Sequence, residues 1–256
     1  MLPLMLACAG GEDPTPLPAG EVWQPEPGTS WQWQLSGEVD TSVDADMFDV
    51  DLFDTPDTKL EELSEAVLIC YFSAGSMEDW REDAADFPSS AVGWELDGWP
   101  GEYWVDVSDP QVRSLMEARL DYAVERGCDG VEPDNVDGYA NANGLGLRSS
   151  EQLDYNRFLA DAAHTRGLSV GLKNDLDQVE DLVDWFDWAL NEECASYDEC
   201  GRLSAFTGSD KAAFHVEYVD AWSEAQDKAD EVCGVGPRLD TLIKTWDLDE
   251  RRLACE

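Results

Sequence analysis

Apolar positions along the chain fall into short runs separated by stretches in which the period changes to helical. The runs WQWQLSG (31–37), MFDVDLF (47–53), AVLICYFSAG (66–75) and DGVEPDN (129–135) read as strands. So do LSVGLKND (168–175), WALNEE (188–193), AFHVEY (213–218) and TLIKTW (241–246), which makes eight. Between them Asp109-Pro110 supplies an N-cap and a first-turn proline. Val112, Leu115, Met116, Ala123 and Val124 then share one helical face, and Gly127 ends it. Ser149 with Gln152 has the form of a capping box, Leu153, Leu159, Ala162 and Ala163 follow on one face, and Gly167 closes that helix. Leu176, Val179, Leu182, Val183 and Phe186 make a third stripe. Strand–helix alternation with short turns predicts a parallel sheet wrapped by helices. Eight strands within about 220 residues predict a single (β/α)8 TIM barrel over 29–256. The competing architecture is a doubly wound open sheet, but no GxGxxG or P-loop follows any strand.

A barrel gives the polar residues a common address, because its active site lies at the C-terminal ends of the strands. Those ends carry Gln34, Asp49 and Asp51, Ser73, Asp134, Lys173 and Asn174, Glu192, Glu217 and Tyr218, and Lys244. Within DGVEPDN the side chains alternate, so Glu132 and Asp134 share the face opposite Val131 and Pro133. Two carboxylates on one face raise the proton affinity of at least one of them, which keeps a carboxylic acid available for general-acid work. The competing reading is a Ca²⁺ site or a solvated acidic turn. DNVDG echoes part of a calcium loop, but the DxDxDG spacing and the terminal Glu are missing.

Composition narrows the choice. Of 256 residues 43% are hydrophobic, with 11 Trp, 7 Tyr and 8 Phe, which is ample for a core. Sixteen basic against 57 acidic residues give a net charge of −41. Such a surface repels nucleic acid and anionic membranes and attracts a cationic substrate. Solubility or salt tolerance is the alternative use of the charge. The first residues, MLPLMLACAGG, have the form of a lipoprotein signal over 1–8 with Cys8 as the lipidation candidate, although no Lys or Arg precedes the short apolar run. Residues 9–28 are rich in Pro, Glu and Gly and read as an extended tether. No segment approaches the roughly 20 apolar residues of a membrane span. An exported, extracellular or outer-surface chain is expected. Setting Cys8 aside leaves six cysteines, an even number that suggests disulfides in an exported protein. Cys194 with Cys200 would pin one loop and Cys233 with Cys255 would tie down the tail, leaving Cys70 with Cys128. A zinc site competes weakly, because there is no CxxC pair and His164 and His215 are the only histidines. No metal and no cofactor are expected.

The runs SWQWQL, CYFSAGSMEDW, GCDGVEPDNVDGY, GLSVGLKND and NEEC resemble glycoside hydrolase family 114, the endo-α-1,4-polygalactosaminidases. The resemblance covers roughly residues 29–256 in order. It implies a (β/α)8 barrel that hydrolyses α-1,4-linked galactosamine polymers of biofilm exopolysaccharide. Its essential acidic pair would be Asp134 in VEPDN and Glu192 in NEEC; the family's loop more often has Gln where this chain has Glu193. The residue chemistry agrees, since glycosidic cleavage needs one carboxylic acid at the leaving oxygen and one carboxylate across the anomeric carbon. Asp134 is read as the nucleophile or anomeric-side carboxylate and Glu192 as the general acid/base.

Around this pair, Trp31, Tyr71, Trp104, Tyr139 and Tyr218 are candidates to stack on sugar faces, although core packing is the commoner role of any one aromatic. Asp49, Asp51, Asp106, Glu132, Asp137 and Glu217 are candidates to hold amino groups, Lys173 to orient a carboxylate, and Asn135 and Asn174 to bind hydroxyls. The predicted partner is a cationic or neutral aminosugar polysaccharide, met by a monomer. A barrel that binds glycan without cleaving it, and a hydrolase of another α-galactoside or of a peptide-linked sugar, are the alternatives. An intact acid/base pair favours an enzyme.

Overall fold

The computed structural model describes residue 16, residues 22–234, residue 236 and residues 238–255. The signal-like segment 1–8 with Cys8, and most of the tether 9–28, lie outside the described residues. The strands are β1 (Trp31–Gln34), β2 (Met47–Asp51), β3 (Val67–Ser73), β4 (Ser76–Glu78), β5 (Val92–Glu95) and β6 (Glu102–Val105). They continue with β7 (Gly130–Asp134), β8 (Ser169–Lys173), β9 (Trp188–Glu192), β10 (Ala213–Val219), β11 (Asp240–Thr245) and β12 (Leu253–Ala254). The helices are α1 (Asp57–Glu62), α2 (Pro110–Arg126), α3 (Ser149–Thr165), α4 (Val179–Leu182), α5 (Ser204–Thr207) and α6 (Ala225–Val232).

All eight sequence-predicted strands are present, paired in chain order. The main sheet runs β1-β2-β3-β7-β8-β9-β10-β11-β12, parallel throughout except for the last pair. It is a curled, nine-stranded α/β sheet. Its ends approach one another without a backbone ladder between β1 and β11 among the described residues. The edge of β11 that a closed barrel would offer to β1 is taken by β12, with Leu242 opposite Ala254 and Ile243 opposite Leu253. The seam is bridged by isolated contacts instead: the Trp31 indole donates to the Asp240 carbonyl at 3.0 Å, Arg252 donates to the carbonyl of Trp31, and just past the strands the Leu35 and Ser36 amides donate to the Leu248 carbonyl at 3.0 and 3.2 Å.

The helices follow their sequence signals with small corrections. Asp109 caps α2 by accepting from the Gln111 amide at 2.7 Å, Pro110 takes the first position, and Gly127 ends the helix at φ 81°. The cap of α3 is displaced by one residue: Glu151 accepts from the Arg148 amide at 2.9 Å, while the Gln152 side chain bonds Asn156. The third stripe is mostly not a long helix, forming a 3₁₀ turn and the short α4. Between β3 and α2 the sequence reading also missed a three-stranded antiparallel sheet, ordered β4-β6-β5. Its strands are three or four residues long, too short for alternation to show.

Alternation along the parallel strands divides the core in two. Inward positions give Trp31, Trp33, Met47, Ile69, Trp188 and Phe214, which fill the interior. Gly171 makes room there, since a Cβ at that position would stand 2.3 Å from the Trp188 ring. Outward positions such as Val50, Leu68 and Phe72 pack with Met116 and Leu120 of α2 and Leu159 of α3. Each fully buried large apolar side chain contributes about 1.5–3 kcal/mol, so both layers stiffen the sheet whose strand tips carry the polar groups. Disulfides join Cys70 to Cys128, Cys194 to Cys200 and Cys233 to Cys255, the three pairings given by the cysteine arithmetic.

Candidate active site

The C-terminal ends of the parallel strands open into a cleft of about 860 Å³. At its floor Lys173, at the end of β8, is 2% exposed and gathers three carboxylates. Its Nζ lies 2.8 Å from Glu132, 3.2 Å from Asp134 and 3.4 Å from Glu192. The order of the strands creates this cluster. β7, β8 and β9 are neighbours, and Glu132, Asp134, Lys173 and Glu192 occupy inward positions near their ends. Burial alone would push the lysine toward its neutral form, but the surrounding carboxylates raise its pKa well above the ordinary value.

Asp134 is fixed from three sides. The Tyr71 hydroxyl donates to its Oδ2 at 2.8 Å, the Asn135 amide to its Oδ1 at 2.8 Å, and Lys173 approaches the same Oδ1. Glu192 receives the hydroxyl of Tyr218 on Oε1 and the Asn174 amide group on Oε2 at 3.2 Å. The Asn174 Oδ1 in turn accepts from the Glu192 amide and from Asn191. Burial and the neighbouring carboxylates push both Tyr71 and Tyr218 well above the usual phenol range, so both remain donors. Asp134 and Glu192 keep 18% and 27% of their side-chain surface open, enough to meet a ligand in the cleft.

The backbone at these tips is unusual in the same way on three successive strands. Asn135, Asn174 and Glu193, each just past its strand, have φ of 61°, 49° and 60°. Left-handed backbone is costly for residues other than glycine and is found where packing holds it in place. Gly75 shows how: a Cβ there would lie 1.7 Å from the Asn135 carbonyl, so the VEPDN turn packs directly on the SAGS loop. The Asn135 side chain donates to Ser73 and Glu102, each at 2.9 Å. Both Asn135 and Asn174 therefore position carboxylates through protein contacts.

Other groups line the cleft. Burial and Asp134 push Asp137 up to about 6. Burial and Asp137 push Asp175 up to about 8, although it accepts from Tyr139 and Asn156. Burial pushes Glu102 up to about 7. Asp51 faces the cleft but is held by Arg81, whose guanidinium lies 2.7 Å away. The lining cations Arg81, Lys173 and Arg202 are each paired with carboxylates.

The family model for Glycoside-hydrolase family GH114 matches residues 13–256. The chain belongs to this family. A crystal structure of Aspergillus fumigatus Ega3 in complex with galactosamine superposes on this GH114 chain with a TM-score of 0.86. The two share 41% identity over 92% of this chain and 100% of that one. The glycoside hydrolase domain of PelA from Pseudomonas aeruginosa shares the fold, with a TM-score of 0.67, 14% identity, and 88% and 97% of the two chains covered. An uncharacterised protein of Deinococcus radiodurans is 31% identical over 168 residues, 53% of this chain and 54% of that protein, so the match spans about half of each.

Against the sequence reading of this GH114 chain, the structure brings Asp134, Glu192, Lys173, Tyr71, Asn135, Asn174 and Tyr218 together, with Asp51, Asp137 and Tyr139 along the same cleft. Six other residues fall elsewhere. Glu217 sits on the outward face of β10, where it accepts from Ser196 and lies against His215; strand alternation separates it from Tyr218. These contacts hold its pKa down at about 2 despite burial. Asp106 caps the turn after β6 by accepting from Ser108, away from the cleft lining. Asp49 and Glu132 are inward but completely buried beneath it. Trp31 and Trp104 are core residues. Four further aromatics open onto the cleft, Trp80, Trp99, Tyr197 and Trp246, all more than half exposed. Trp80, Trp99 and Tyr197 are loop aromatics that carry no periodic signal, and Trp246, read from the sequence as a strand end, lies just past β11. Trp246 stacks on Tyr218 with ring centroids 4.1 Å apart. Cys194, Cys200 and His215 come within 4.8 Å of one another as a metal site would require, but the two sulfurs are bonded to each other.

Proposed function

We propose that this chain is an exported, endo-acting hydrolase of α-1,4-galactosaminidic linkages in a partly deacetylated galactosamine exopolysaccharide. The observation that carries the reading is the convergence of Asp134 and Glu192 on one ammonium, Lys173, at the mouth of the strands. Family membership and the likeness to Ega3, crystallised with galactosamine, support the substrate class.

In this reading Glu192 protonates the glycosidic oxygen while an Asp134 oxygen attacks the anomeric carbon. The C–O bond to the leaving sugar breaks, and a glycosyl–aspartate ester forms. Glu192, now a carboxylate, removes a proton from water, whose oxygen displaces Asp134 and restores both groups. Each carboxylate has an oxygen within 3.4 Å of the same nitrogen, which holds those oxygens less than about 7 Å apart. That spacing fits double displacement, where the groups stand about 5–5.5 Å apart, better than the wider inverting arrangement. Retention of anomeric configuration is the expected outcome. The curled sheet is read as a (β/α)8 barrel over 29–256 whose seam is bridged by isolated contacts rather than by a ladder.

Export rests on the three disulfides, which persist in oxidising compartments. No described helix is long and apolar enough to cross a membrane. Lipid attachment at Cys8 and action as a monomer belong to the same proposal. The deciding experiment is mass spectrometry of products from partly deacetylated galactosaminogalactan. Short oligomers from the wild type and none from Asp134→Asn are expected. Polymer that is bound but left intact would make the chain a glycan-binding protein instead.

A further inference from the structure

β2 carries Asp49 inward beneath the cleft, with Trp33 of β1 and Ile69 of β3 as its register partners. The side chain has no exposed surface, and neither carboxylate oxygen meets an N–H or O–H donor among the described residues. The charged groups facing it are Glu132 and Asp134 of β7 and Lys173 of β8. A carboxylate in such a place would be a buried charge without donors, a state the group escapes by taking up a proton.

The group it contacts is the Glu132 carboxylate. Two ionised carboxylates offer one another only acceptors, so this contact is a hydrogen bond only when one of the two is protonated. Glu132 already accepts from the Trp33 indole at 2.9 Å and from Lys173 at 2.8 Å. The negative charge is therefore stabilised on Glu132 and the proton sits on Asp49. We infer that Asp49 is a neutral positioning acid whose O–H donates to Glu132 and thereby fixes the Glu132–Lys173 pair beneath Asp134 and Glu192. Burial together with the Glu132 charge raises the Asp49 carboxyl well above the usual range, in the same direction.

The neutral state has a consequence for the cleft. With a single negative charge shared by Asp49 and Glu132, the ammonium of Lys173 keeps its contacts with Asp134 and Glu192. A second charge below would draw Lys173 down, away from both. Asp49 touches no substrate and acts only through Glu132 and Lys173. Its effect on turnover rests on the roles proposed for Asp134 and Glu192; its proton does not.

Two measurements on the full chain test this. In infrared difference spectroscopy at neutral pH, Asp49→Asn should remove the carbonyl stretch of one protonated carboxyl group. A spectrum in which no such band is lost overturns the proposal, with no turnover required. In kinetics on galactosamine oligomers, Asp49→Asn keeps both the donor and the net charge, so kcat should stay within about threefold and its pH profile should superpose on the wild type. Asp49→Ala removes the donor and should lower kcat about 10–100-fold with KM little changed, the size expected when reacting groups are misplaced by about an ångström. Equal activity of the two variants, high or low, overturns the positioning role. If the wild type fails to turn over these oligomers, the proposed function falls and the infrared result alone decides the state of Asp49.

Discussion

At the scale of single residues, Asp134 and Glu192 are separated from their acidic neighbours by what donates to them. Asp134→Asn keeps the shape and removes the charge, and should lower kcat at least about a hundredfold with the fold intact; Glu192→Gln should do the same. Glu193→Gln should cost less than about threefold, because the Lys173, Asn174 and Tyr218 contacts belong to Glu192. Steady-state rates on one oligomer, alongside circular dichroism, check all three, and an inverted order of the two glutamates would reverse the assignment. Gly75 has a different kind of necessity. Gly75→Ala puts a Cβ into the space of the Asn135 carbonyl and should destabilise the fold by about 3 kcal/mol or more in urea unfolding.

At the scale of elements, the segment after β9 links stability to the cleft. The Cys194–Cys200 disulfide closes a loop carrying Tyr197, an exposed aromatic of the cleft lining. A loop this short constrains little of the unfolded chain, so the Cys194→Ser/Cys200→Ser pair should lose only about 2 kcal/mol of stability. Activity should fall further than stability implies, through a raised KM, as Tyr197 loses its place; an unchanged KM would show that the loop does not meet the polymer. The stretch after β11 behaves likewise. Trp246→Ala removes the ring stacked on Tyr218, and KM should rise about three- to tenfold, the equivalent of one aromatic contact.

At the scale of the whole molecule, charge bears on two predictions, one about the substrate and one about stability. Attraction of a cationic polymer by a net charge of −41 is screened over about 10 Å at 0.1 M salt. Added salt should therefore raise KM for deacetylated polymer, leave kcat nearly constant, and hardly affect the neutral acetylated polymer. Equal salt sensitivity for both polymers would assign the surface charge to solubility. The pH dependence of stability follows from Glu102, Asp137 and Asp175, whose pKa values rise from 4.5, 3.8 and 3.8 to about 7, 6 and 8. Between the unfolded and folded values the native state holds more protons, so stability grows as pH falls through that window. Melting temperature should be higher near about pH 5 than near about pH 7.5 at fixed ionic strength, and Asp175→Asn should flatten the slope. Glu217, held at about 2, opposes this trend only as pH falls below its ordinary value of 4.5.

The sequence by itself determined the eight parallel strands, the two long helices and the three disulfide pairings. Periodicity, capping residues and an even cysteine count are local or countable signals, readable without knowing where strands lie in space. It also marked Asp134, Lys173 and Glu192, because each ends a recognisable strand and the resemblance fixes their motifs. Only the tertiary structure decided which polar residues share the cleft. A one-residue step along β10 sends Tyr218 inward and Glu217 outward, and Asp49, in the middle of β2 rather than at its end, sinks below the surface of the cleft. The antiparallel insertion and the rim tryptophans were likewise settled by packing, since three-residue strands and single loop aromatics leave no period to read. The seam between β1 and β11 depended on where the C-terminal strand docked, a contact more than 200 residues away along the chain that no local pattern encodes.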